Sequence, residues 1–178
     1  MAPARAMRTS ILLLIAAACS HPAQRRAPLE GRSSELPAGR HEHLASIERA
    51  GCYGWCPVYK LTVFRDGAVE YEGESYVKLK GKATGRLRPE QLTALDELFR
   101  KHGYLTLAGS YERYLITDSS SVYTAYTPSG GKRKDVKHYL GDTTAPEVLG
   151  QIEDGIDLIV HIEQWIGTEQ EREKLSGH

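Results

Sequence analysis

PVYKLTVFRDGAVEYEG, residues 57–73, decides how this chain folds. Tyr59, Leu61 and Val63 fall on one side of an alternating run, and Lys60 and Thr62 on the other. A period of two is that of a half-buried strand, whose successive side chains point to opposite faces. Asp66-Gly67 then marks a hairpin turn. AVEYEG returns as the next strand, with Val69 and Tyr71 facing inward. Working outward, LASIERA (44–50) reads as a short first strand, and SYVKLKGKATGRL (75–87) adds one or two short strands around Gly81.

At Pro89 the period changes. PEQLTALDELFRKHG places Leu92, Leu95, Phe99 and His102 at helical spacing, with Leu98 beside them. Proline suits the first turn, Glu90 and Lys101 favour opposite ends of the helix dipole, and Gly103 stops the helix. YLTLAGSYERYLI (104–116) reads as irregular. SSVYTAYT and KRKDVKHYL form a second hairpin around Pro128-Ser129-Gly130-Gly131. A last amphipathic helix covers 145–166. Val148, Leu149, Ile152, Ile156, Ile159 and Ile166 form its buried stripe, and Asp154, Asp157, His161 and Gln164 its wet face. Asp157 lies four residues before His161, which predicts a surface pair. Strands, helix, hairpin, helix is the order of an α+β fold: an antiparallel sheet of about five to six strands with two helices packed on one face.

The N-terminus sets the compartment. MAPARAMRTS carries Arg5 and Arg8 and no acid, and ILLLIAAAC is a short apolar run ending in small residues. That is the layout of a secretory signal, and the run is about half the ~20 residues a membrane helix needs. Ala16-Ala17-Ala18-Cys19 resembles a bacterial lipobox, in which Cys19 receives the lipid. Ser20 rather than Asp after that cysteine points to the outer membrane. The expected organisation is a lipoprotein signal over 1–18, a lipidated Cys19 and flexible tether over 19–43, one domain over 44–167 and a charged flexible tail over 168–178. Removing residues 1–18 takes Lys+Arg from 23 to 21 against 23 acids, a net charge of −2. A near-neutral secreted chain carries no electrostatic case for nucleic acid, nor a strong one for an anionic membrane face. The membrane is expected as a partner only through the lipid.

GCYGWCPVY, residues 51–59, holds the remaining two cysteines. Three readings compete. With Cys19 used by the lipid, Cys52 and Cys56 are an even pair in an oxidising compartment, which favours a disulfide. A working thiol pair of thioredoxin type has two intervening residues at a helix start; here there are three, leading into a strand. A soft-metal site would join two thiolates to an imidazole, and His138 is the best third ligand for copper or zinc. Trp55, inside the cysteine loop, reads as a plug under a disulfide or, if exposed, as a contact residue; Tyr59 is the second candidate contact.

The pattern C-x-G-x-C-P-x-Y, then an alternating strand, Asp-Gly and a Tyr-x-Gly strand, resembles a bacterial domain-of-unknown-function family, number 6438. The matching positions are Cys52, Gly54, Cys56, Pro57, Tyr59, Asp66, Gly67, Tyr71 and Gly73. Tyr111, Asp118 and the Lys134 to Val136 strand match loosely. Members are mostly secreted or lipid-anchored and the family has no established activity, so the resemblance implies a fold and a compartment.

Other candidates read as structural. His41-Glu42-His43 reads as the solvated end of the tether. Asp118-Ser119-Ser120-Ser121 lacks a nucleophile elbow around it, and Gly81-Lys82 lacks the spacing of a phosphate loop. No catalytic residue and no cofactor is expected. The leading expectation is a lipid-anchored, non-enzymatic envelope module that binds or supports another envelope protein; the alternative is a thiol-redox or copper/zinc-handling protein using Cys52 and Cys56.

Overall fold

The alternating stretch at 57–73 forms strands β2 (Val58–Phe64) and β3 (Ala68–Ser75), paired antiparallel with Leu61 opposite Tyr71. The computed structural model describes residues 41–113 and 118–175. The expected signal sequence, the expected lipid acceptor Cys19 and the expected tether up to residue 40 lie outside the described residues. The remaining strands are β1 (His43–Arg49), β4 (Gly81–Arg86), β5 (Ser110–Tyr111), β6 (Ser121–Tyr126) and β7 (Lys134–Tyr139). The helices are α1 (Pro89–Lys101), α2 (Glu147–Val160), α3 (Glu163–Ile166) and α4 (Glu169–Leu175).

The strands form one sheet in the order β4-β3-β2-β1-β6-β7-β5. All neighbours are antiparallel except β5, which runs parallel to β7 through Ser110 and Tyr111. The fold is therefore α+β, with a mixed sheet of seven strands among the described residues, not the purely antiparallel five or six expected. The extra strand falls in the stretch read as irregular. It is two residues long, too short to leave a periodicity.

One face of the sheet is covered. Ile47, Leu61, Val63, Val69, Val122 and Val136 are buried there with Leu95 and Phe99 of α1 and Leu149, Ile152 and Ile156 of α2. The Phe99 ring stacks on Tyr126 at 4.5 Å, and its edge meets Tyr104 at 4.9 Å. Aromatic pairs of this geometry add about 0.5–1.5 kcal/mol each beyond the area they bury.

The helix expected over 145–166 ends at Val160. His161 takes a left-handed backbone (φ 53°), and the amides of His161 and Ile162 bond back to the carbonyls of Leu158 and Asp157. That is a Schellman stop made without glycine, so composition gives no sign of it. The turn lets Trp165 fold back, where it stacks on Tyr71 at 5.2 Å. A methyl group on Gly85 would lie 2.9 Å from the Trp165 ring, which accounts for the glycine inside β4. Residues 169–175, in the segment read as a flexible tail, are helical, and Lys78 pairs with Glu171 there at 2.8 Å.

The other face is open and polar. Strand register sets Lys82, Glu72, Lys60, Glu48, Tyr123 and Lys137 in a row across six strands. Lys60 bonds Glu48 at 3.1 Å, and the Lys137 ammonium lies 5.9 Å from the centre of the Tyr123 ring. Opposite charges facing across strands stabilise by a few tenths of a kcal/mol each, and together they make this face self-sufficient in water. No helix of the described residues is long and apolar enough to cross a membrane.

Candidate functional site: the stapled loop between the first two strands

β1 ends at Arg49 and β2 begins at Val58, so the antiparallel pair is joined by a long connection. Its upstream end is fixed to β6: the Ala50 amide bonds the Ser121 carbonyl at 2.9 Å, and the Ser120 hydroxyl donates to the Ala50 carbonyl. Cys52 and Cys56 form a disulfide, with Cα atoms 5.7 Å apart. Inside it the Gly54 amide bonds the Cys52 carbonyl at 2.9 Å. Closing so short a loop stabilises by about 2 kcal/mol in the chain-entropy view. Of the readings left open for these cysteines, the structure has the disulfide.

The loop turns its aromatic side chains outward. Tyr53 is 89 % exposed and Trp55 50 %. Trp55 is therefore not a plug beneath the disulfide. Its ring stands edge-on to Tyr76, with centroids 5.2 Å apart. Tyr76 itself has a left-handed backbone (φ 53°), a strained state for a bulky residue that costs about 1–3 kcal/mol. The connection that follows β3 thus brings Tyr76 against Trp55 of the stapled loop, two aromatic rings in contact.

Tyr59, the second expected contact, is only 2 % exposed. The alternation that makes β2 a strand turns it into the covered face. Its hydroxyl donates to Asp157 Oδ1 at 2.6 Å, and Arg49 Nε reaches Tyr59 Oη at 3.1 Å and Asp157 Oδ2 at 2.9 Å. Arg49 Nη2 lies 2.7 Å from Asp157 and 3.3 Å from Asp154. Burial pushes the Asp157 carboxyl above the ordinary aspartate value, against the opposing pull of Arg49. Burial, with Asp157 beside it, pushes the Tyr59 hydroxyl far above its usual value, so it remains a protonated donor near neutral pH. This cluster ties β1 and β2 to α2 directly beneath the loop. Asp157, expected on the wet face of its helix and paired with His161, is turned instead to Arg49 and Tyr59, because a guanidinium can follow it into the covered side.

The loop separates two concavities. One, of about 770 Å³, lies toward the open sheet face and is lined by Glu48, Lys60, Glu72, Glu74, Ser75 and Tyr76 beside Cys52 and Gly54. The other, of about 260 Å³, lies between Cys56-Pro57 and α2, over Arg49, Ser120 and Asp157. The first is walled by mixed charge and polar groups; the second is walled in part by the bonded cluster just described, together with Val122, Leu140 and Ile166.

His138, the expected third ligand of a metal site, is elsewhere. It is buried on β7, and its Nδ1 lies 2.9 Å from the Glu153 carboxylate of α2. With both cysteine sulfurs bonded to each other, the three residues do not converge. Among the described residues no group of three or more His, Cys, Asp or Glu side chains is arranged to hold a metal ion. Glu153 was not legible as a buried residue, since an acid within an apolar helix face reads as solvated; a histidine on the facing strand is the signal that could have found it. His41, Glu42 and His43, read as tether, belong to the fold. His41 bonds Asp66 at 2.9 Å, Glu42 bonds Arg65 at 3.0 Å, and His43 starts β1.

No curated protein and no solved structure matches the chain. A family does: residues 43–160 match the Domain of unknown function (DUF6438). That span begins with β1 and ends with α2, so it takes in the whole sheet, the stapled loop and the Arg49–Tyr59–Asp157 cluster. On that match the chain belongs to the DUF6438 family.

Proposed function

We propose that this protein is a lipid-anchored module of the bacterial cell envelope, held in the outer membrane through Cys19, that binds another envelope component without transforming it. The Cys52–Cys56 loop is the contact. One observation carries this reading: a covalently closed loop holds Tyr53 and Trp55 out in solvent, at 89 % and 50 % exposure, while the cluster beneath it is fully occupied by its own bonds. Aromatic rings presented in solvent on a covalently closed backbone are what binding surfaces use, because the loop has little backbone freedom left to lose on contact. Arg49, Tyr59 and Asp157 act as the foundation of the loop and not as an acid–base set.

The test is made in cells of the source organism. A photo-crosslinking residue replaces Tyr53, and Cys19→Ser removes the acceptor of the lipid. The expected results are a discrete crosslinked species at position 53, absent when the crosslinker replaces Leu158 on the exposed side of α2, and loss of the Cys19→Ser protein from the membrane fraction. Reactive free thiols at Cys52 and Cys56 in the purified protein, or stoichiometric copper or zinc, would overturn the reading in favour of thiol or metal chemistry.

A further inference from the structure

We infer that the 770 Å³ cleft beside the stapled loop is a saccharide site, which takes a neutral or amino-sugar strand across Trp55 and Tyr76. The inference rests on the binding role proposed above and specifies its partner. Four observations combine. The cleft is roomy and lined by Glu48, Lys60, Glu72, Glu74, Ser75 and Tyr76. At its rim, Trp55 stands against Tyr76, and Tyr53 is exposed on the same loop. The disulfide fixes that rim. Tyr76 keeps a left-handed backbone that a tyrosine adopts only at a cost, so its ring is held where a relaxed turn would not put it.

The chemistry of the walls selects the ligand. The cleft is lined by three carboxylates, Glu48, Glu72 and Glu74, and by two cations, Lys60 and Arg49, a formal balance of −1, and the Arg49 guanidinium is already held by Asp157, so an anionic polymer or an anionic lipid surface is disfavoured. β1, β2 and β3, which form its floor, are interior strands paired on both sides. They offer no free backbone ladder to an extended peptide, the usual means by which a sheet captures one. The half-polar lining is also unlike the apolar groove that receives an amphipathic helix. A pyranose ring suits what remains. Its C–H face packs on the electron-rich face of an aromatic ring. Its hydroxyls both donate and accept, and so they match carboxylates, an ammonium and a serine hydroxyl at once.

The experiment uses the full chain in detergent micelles and chitohexaose as the probe. Trp165, the second tryptophan, is buried against Tyr71, so a fluorescence change reports Trp55. The expected result is a saturable change with chitohexaose and none with a heparin oligosaccharide. By calorimetry, Trp55→Ala should weaken binding about tenfold, the effect of losing one aromatic anchor, and Trp55→Tyr should restore most of it. Leu158→Ala, on an exposed helix surface away from the cleft, should leave it unchanged. An absent or unsaturable response to chitohexaose overturns the saccharide site, as does a response that survives Trp55→Ala. If oligolysine or phosphatidylglycerol vesicles bind through Trp55 instead, the saccharide assignment falls and the binding role of the loop stands. If the loop answers none of these probes and position 53 gives no crosslink in cells, both fall.

Discussion

Two of the connections between neighbouring antiparallel strands in this sheet, β1–β2 and β2–β3, are built in opposite ways. Between β2 and β3 the chain reverses over residues 65–67. The Gly67 amide bonds the Phe64 carbonyl, the Leu87 amide bonds the Gly67 carbonyl, and the Asp66 side chain is held by His41 and the Ala68 amide. Gly67 is buried, with nothing to offer a partner. Between β1 and β2 the chain takes residues 50–57 to make the same reversal. Few of its backbone groups are used, a covalent bond supplies the closure, and its rings face water. A turn that satisfies itself is architecture; one that is longer than the reversal needs, and stapled to stay so, presents a surface.

The sharpest way to break that comparison is to remove the foundation of the long connection. Asp157→Ala strands the Arg49 guanidinium, which keeps the neutral Tyr59 hydroxyl and one charged partner, Asp154, that is 84 % exposed. Breaking a buried pair from one side costs about 3–5 kcal/mol, which urea denaturation should read directly; a loss below about 1 kcal/mol would show the cluster to be dispensable. The short turn should be the next most sensitive. Gly67 has φ 89°, and a methyl there would sit 2.9 Å from the Leu87 carbonyl. Gly67→Ala should cost about 2–3 kcal/mol, whereas an alanine at exposed Tyr53 in the long connection should be nearly silent.

Smaller effects sharpen the contrast. Replacing both Cys52 and Cys56 with alanine should lower stability by about 2 kcal/mol while the sheet persists, as judged by circular dichroism. Trp55→Ala should change stability by no more than about 0.5 kcal/mol, so any loss of partner crosslinking in that variant reports contact and not unfolding. The smallest is a pH effect at His43, beside the short turn. Burial, then Arg133, holds its imidazole below the ordinary value of 6.5. A depressed histidine contributes stability above pH 6.5 that is lost as pH falls through its folded value. His43→Asn should therefore flatten the melting-temperature profile on the acid side of 6.5 and leave it unchanged above.

The sheet's centre was legible because its strands alternate cleanly and its turn is Asp-Gly. The sheet's edge was not: β5 pairs two residues, and pairing of that length is set by tertiary contact alone. The stop at His161 was hidden for a related reason, since a left-handed histidine is chosen by the packing of Trp165 and not by propensity. At the candidate site the cysteine pair was visible from its spacing and count. The orientation of Trp55 and the cluster below it were not, because both depend on which residues of α2 and of the β3–β4 segment arrive from far along the chain. Tyr59 shows the limit well. The same period-two rule that placed it on a strand also placed it inside, and it could not serve as a surface contact as well.

The row of Lys82, Glu72, Lys60 and Glu48 on the open face has a kinetic consequence. Charges that alternate at the strand spacing of about 4.8 Å cancel one another within a distance shorter than the ~8 Å over which physiological salt screens. A partner approaching along this row feels little long-range field until it touches, and only the small acidic excess of the neighbouring cleft acts against an anionic one. Association would then proceed at an unsteered rate, on the order of 10⁵–10⁶ M⁻¹s⁻¹, and depend little on ionic strength. Recognition is deferred to contact, where shape and the aromatic rim decide.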